Sequence, residues 1–173
     1  MMLDLGILAL RLTLGLVLAA HGAQKLFGWF GGPRLSGTAH FLGSLGLRPP
    51  RVWAVVVGLA EFGGGLLTAS GFLGPVGPAL IVAVMIVAMA LVHARHGFWN
   101  SAGGVEFPAL IALTAIAVAL TGSGRYAVDR VLALSLHEPA FVAAALFIAL
   151  VGAALCVVTA RRTTQPAGAA ASA

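Results

Sequence analysis

The sequence predicts an all-α fold: a polytopic transmembrane helical bundle with a core of four spanning helices and a fifth spanning helix after it. Three observations carry that expectation. Of the 173 residues, 60% are hydrophobic and only 9% are charged, against about a quarter charged in a soluble domain. Mean hydropathy is +1.04. The apolar residues also gather into five runs, at 5–20, 52–71, 76–92, 107–120 and 140–160, near the roughly 17 to 25 residues needed to cross a hydrocarbon core. The chain therefore divides into a four-span core (1–138), an additional span (139–160) and a tail (161–173) whose small, polar, Pro-containing composition predicts disorder.

The first run reads as a retained helix, because its opening residues hold Asp4 and no Lys or Arg, unlike a signal peptide. The connection after it contains "SGTAHFLGSLGLRPP" (36–50), a short amphipathic helix with Phe41, Leu42 and Leu45 on one side, stopped by Pro49 and Pro50 and expected in the membrane interface. "GFLGPVGP" (71–78) is a Gly/Pro break that makes the second and third helices an antiparallel hairpin. The fourth run is the shortest. The 23 glycines fit helices that approach one another closely in a bilayer. No internal repeat or soluble domain is visible.

Charge sets orientation rather than partners. The net +5 is too thinly spread for a nucleic-acid surface. With five spans, the first and third connections and the tail share one side and carry Lys25, Arg34, Arg48, Arg51, Arg95, Arg161 and Arg162, against Arg125 and Arg130 on the other. The positive-inside rule puts that richer side, with the C-terminus, in the cytoplasm.

Polar residues inside the runs are the functional candidates. In "LALRLTLGLVLAAHGAQKLFGW" (8–29), Arg11 stands ten residues before His21, and Glu61 stands ten residues after Arg51. At 1.5 Å per residue, each lies roughly 15 Å below one membrane face. A charge at that depth is costly and normally paired, so the expected partner of Arg11 is Glu61. The stripes Arg11, Gly15, Leu18, Gly22, Lys25 and Gly58, Glu61, Gly65, Thr68 would let the two helices meet closely. Such a pair can fix register or lie on a proton or quinol path, and both readings stay open.

A second group gathers at the membrane face: His21 and Lys25, then His93 and His96, then Asn100 and Glu106. Lys25, His93 and Glu106, with Trp29 and Trp99 nearby, could receive an anion or a quinone headgroup. The alternative is interfacial histidines, belt tryptophans and a carboxylate at a helix N-terminus. One His-x-x-His pair is too little to assign a metal site, and no metal is expected. Met85 and Met89 read as packing, and Arg125 and Asp129, at i and i+4, as a local pair or cap. Cys156 is the single cysteine, so no intrachain disulfide or dithiol chemistry exists. No haem, flavin or iron–sulfur ligation pattern is present, and no catalytic residue is assigned.

Four stretches in order, residues 11–32, "AEFGGGLLTASG" (60–71), "ALVHARHGFW" (90–99) and "GGVEFPALIALTAIAVALTGSGRYAVD" (103–129), together resemble the DoxX family of small bacterial membrane proteins. The resemblance implies a four-helix core in the bacterial inner membrane. It also implies a recurrent polar set at Arg11, His21, Lys25, Glu61, His93 and Glu106, and a closing motif at Gly124, Arg125 and Asp129. The family is associated with membrane oxidoreductase complexes, including thiosulfate-to-quinone electron transfer and oxidative-stress assemblies with soluble redox partners. The fifth apolar run and the single cysteine depart from that pattern. The function expected is a subunit of a membrane redox complex, with quinone as the candidate cofactor and a soluble or membrane protein as redox partner. Its rivals are a non-catalytic scaffold and, behind it, a small-solute or proton transporter.

Overall fold

The computed structural model describes residues 1–164. Helix α1 spans Met2–Phe27 and stops at Gly28, whose φ of 76° closes the helix in the left-handed conformation that glycine adopts without strain. Helix α2 is Arg34–Ser44. Helix α3 (Pro50–Ser70) begins with proline in its first turn, where a missing N–H costs nothing, and ends at Gly71, again left-handed. Helix α4 (Val76–Ala88) continues through a π-helical stretch, Met89–His93, and a 3-10 turn, Ala94–His96. Then follow α5 (Glu106–Thr121), the single turn α6 (Val128–Val131) and α7 (Pro139–Thr164). Among the described residues, four helical segments are long and apolar enough to cross a membrane: α1, α3, Val76–His96 and α7. The fourth run, α5, is shorter at 16 residues.

Helices α1 and α3 form the tightest seam. A Cβ on Gly15 would lie 2.5 Å from the Gly65 carbonyl oxygen, and one on Gly58 would lie 2.5 Å from the Leu26 side chain. The two small-residue stripes face each other, and dispersion between closely packed backbones holds the helices together where lipid supplies no hydrophobic drive. The core between α1, α4 and α5 is apolar, built on Leu14, Leu18, Ile81, Met85 and Ala115, with Met89 against it.

A second cluster, Leu42, Leu47, Ala54, Cys156 and Ala160, joins α2, α3 and α7. It packs one side of the short helix within 36–50 onto the end of the bundle: Leu42 is buried there while Phe41 is exposed. The last helix also extends four residues past Ala160, so residues 161–164 are ordered helix and not tail. The expected disorder of residues 165–173 lies outside the described residues. The Thr163 hydroxyl donates to the Gly46 carbonyl at 2.7 Å, so the first connection and the end of α7 share one end of the bundle. The third connection lies there too, because α4 runs antiparallel to α3.

Candidate functional site

The register of α1 on α3 decides which polar side chains meet. Gly15 faces Gly65 and Ala69, Gly22 faces Phe62, and Leu26 faces Gly58. That register puts Arg11 level with Gly71 at the far end of α3, roughly 15 Å from the level of Glu61, and the expected Arg11–Glu61 pair does not form. The depth argument placed the ends of the two helices at His21 and Arg51. In the structure α1 runs on to Phe27 and its end lies beside Gly58, seven residues past Arg51, which shifts the match by about ten residues.

Glu61 takes Lys25 instead. The two form a salt bridge in which the carboxylate side chain is only 5% exposed and the lysine is 29% exposed. Lysine can bury its methylene stem and keep its head accessible, so the part-exposed Lys25 links a buried acid to the bundle's surface. Helix α2 lies over it: the Thr38 hydroxyl donates to the Arg34 carbonyl at 2.9 Å and reaches the Lys25 carbonyl at 3.3 Å. Phe27 packs edge-on against Phe62 at 5.5 Å beside it.

The histidine group is separate. The π-helical stretch turns His93 toward the next connection, where its Nδ1 lies 2.7 Å from the Gly103 carbonyl. The Glu106 carboxylate accepts the Asn100 amide at 2.8 Å, and the Val105 amide donates to the Gly97 carbonyl at 3.1 Å. These bonds knit residues 93–106 into a closed loop. Among the described residues no hydrogen bond or ion pair joins it to Lys25. His21 and His96 are exposed, as are Trp29 and Trp99. The residues named for a headgroup therefore sit at the same end of the bundle in two groups.

At the opposite end Arg11, 1% exposed, is held by carbonyls alone. It donates to Ser123, to Tyr126 at 3.1 Å and to Ala69 at 3.4 Å. Gly71 passes so close that a side chain there would strike the guanidinium, and its φ of 67° also requires glycine. Asp129 accepts the Leu73 and Gly74 amides at 2.9 and 2.7 Å. The i, i+4 pairing of Arg125 with Asp129 is thus replaced by a clasp on the α3–α4 turn, because two unpaired backbone amides offer a carboxylate shorter, better aligned bonds. The Arg125 amide donates to Asp4 at 3.1 Å, and His137 Nε2 lies 3.1 Å from the Leu120 carbonyl. Gly124, with φ of 70°, carries the loop past Ile7. An open cavity of about 370 Å³ lies here, lined by Asp4, Arg125, Asp129, His137 and Glu138 among others.

The DoxX family profile matches residues 6–94. A Bacillus subtilis (strain 168) protein named "Putative oxidoreductase CatD" is 34% identical over 126 residues, 73% of this chain and 86% of that protein. The chain belongs to the DoxX family.

A second relative, the inner membrane protein YqjF of Escherichia coli (strain K12), is 26% identical over 131 residues, 75% of this chain and 93% of its own length. No solved structure matches this DoxX chain significantly. The profile match contains Arg11, His21, Lys25, Glu61 and His93, while Glu106 and the Gly124, Arg125, Asp129 motif lie beyond it. Sequence reasoning missed Asp4, Ser123, Tyr126 and His137. Arg11 signalled that a buried polar site existed, but its acceptors are main-chain oxygens, which leave no mark in residue type.

Proposed function

We propose that this DoxX protein is an inner-membrane subunit of a redox assembly, in which the Lys25–Glu61 pair exchanges protons for a quinone reduced or oxidised at the Arg-rich end of the bundle. One observation supports it most: a carboxylate almost wholly buried, its only ion-pair partner among the described residues a lysine that reaches the bundle's surface. Intramembrane charges that pair in this way commonly mark proton or substrate routes. The name of the Bacillus relative points the same way. Reducing a quinone to a quinol consumes two electrons and two protons. The electrons would come from the partner's redox centre, and Glu61 would pass protons to or from the end of the bundle through Lys25. His93 and Glu106 would form a second polar group at that end. The side with seven Lys and Arg residues would face the cytoplasm, with the C-terminus, and a soluble partner would dock there.

A scaffold is the second reading, favoured by the Arg11 end. Every polar contact of Arg11 there is to backbone, so that group ties loops together rather than offering a reactive site. Purification in mild detergent, with mass spectrometry and an optical spectrum, separates the two readings. A stoichiometric redox protein or a bound quinone supports the redox subunit; a colourless protein with neither leaves the scaffold.

A further inference from the structure

Between α3, α4 and α7 lies a groove of about 620 Å³. Its wall is apolar from end to end, from Val76 and Phe141 at one end to Trp53 and Cys156 at the other, with Ala83, Ala145 and Gly152 between. All three helices cross the membrane, so the groove is immersed in the hydrocarbon region. Measured along α4 from Val76 to Val87, it is about 17 Å long, a length that suits one extended hydrocarbon chain.

The mouth of the groove names the headgroup. The Trp53 indole lines the groove and donates to the Arg48 carbonyl at 3.3 Å. The bond from Thr163 to Gly46 brings the end of α7, and Arg162 with it, to the same turn. On α7, Ile148, Leu155 and Arg162 are spaced by seven residues and so share one stripe, of which Ile148 and Leu155 line the groove. Arg48 and Arg162 are both exposed. The chain has five carboxylate side chains: Asp4, Asp129 and Glu138 lie at the opposite end, Glu61 holds Lys25, and Glu106 holds the Asn100 amide. Among the described residues neither arginine has an ion-pair partner. Basic residues that cap an apolar inter-helix groove at a membrane face suit anionic lipid headgroups.

We infer that this groove is a binding site for an anionic phospholipid, with one acyl chain between α3, α4 and α7 and the phosphate between Arg48 and Arg162. The site is distinct from the Lys25–Glu61 pair, which faces α1, and does not depend on the redox reading.

Native mass spectrometry of the delipidated protein, offered phosphatidylglycerol and phosphatidylcholine with identical acyl chains, tests it. Wild type retains one phosphatidylglycerol at least tenfold more tightly than phosphatidylcholine. R48Q/R162Q lowers phosphatidylglycerol binding roughly thirtyfold, the loss expected of two arginines near the surface, and leaves phosphatidylcholine unchanged. A Cβ on Gly152 meets no atom within 4 Å, so G152L fills the groove from an unstrained helix and weakens both lipids. If G152L does not fold, A145L fills the same groove. Equal retention of the two lipids, no retained lipid, insensitivity to the groove fillers, or a quinone or second copy occupying the groove would each overturn the inference.

Discussion

Lys25, near the end of the first helix, reaches across the α1–α3 seam to Glu61, which is buried one turn from the close contact of Gly58 with Leu26. A charge pair with one partner buried and the other part-exposed is asymmetric: removing the lysine strands the acid, whereas removing the acid frees a lysine that can still reach the surface. K25M is therefore expected to destabilise by about 2 kcal/mol, between the roughly 3–5 of a fully buried pair and the roughly 0–1 of a surface pair. E61Q should cost less, and K25M/E61Q should recover part of the K25M loss. Thermal unfolding of the four proteins in detergent closes this cycle.

The seam itself makes a second test. G65A places a methyl against the Gly15 carbonyl and the Ala19 backbone, and overpacking of that kind costs about 1–3 kcal/mol. At Gly6 and Gly63 a Cβ meets nothing within 4 Å, so G6A and G63A should stabilise by about 0.5–1 kcal/mol through helix propensity. Equal effects at all three positions would mean that the helices do not approach as closely as described.

Arg11 clamps the far end. R11M leaves the carbonyls of Ser123, Tyr126 and Ala69 without their donor, and each orphaned acceptor costs about 1–3 kcal/mol. R11K keeps the charge but not the fork, so it should rescue only partly. Hydrogen exchange and limited proteolysis of residues 122–127 should show that loop opening in R11M first. D129A should loosen the 73–74 turn in the same assay.

Topology is testable with single cysteines, because Cys156 is the only native one and is buried. In a C156A background, cysteines at Ser36, Ser101 and Thr163 should react with an impermeant thiol reagent from the same side. One at Ser135 should react from the other. The positive-inside argument assigns the first side to the cytoplasm, so the first three should be protected in intact cells and exposed in inverted vesicles.

Much of this was legible in the residues. The apolar runs located every long helix, and the Gly15–Gly22 and Gly58–Gly65 stripes named the faces that meet. What failed was register. Two antiparallel helices of unequal length share no landmark in sequence, and a register error of about ten residues exchanged Lys25 for Arg11 as the expected partner of Glu61. The carbonyl acceptors of Arg11 were invisible for a different reason, since any residue supplies a main-chain oxygen. Asp129 was noticed, but its amide donors belong to a turn 55 and 56 residues away, and a local spacing rule could only offer Arg125.

The central claim is that Glu61 carries protons for a membrane redox reaction. Its most direct test is quinone-dependent electron transfer in membranes carrying wild type, E61Q or E61D, with partner co-purification measured on the same samples. The expected result is at least a tenfold loss of turnover in E61Q, substantial recovery in E61D, and unchanged co-purification. Wild-type turnover in E61Q, or loss of turnover only in step with loss of the partner, would contradict it and leave the pair as architecture.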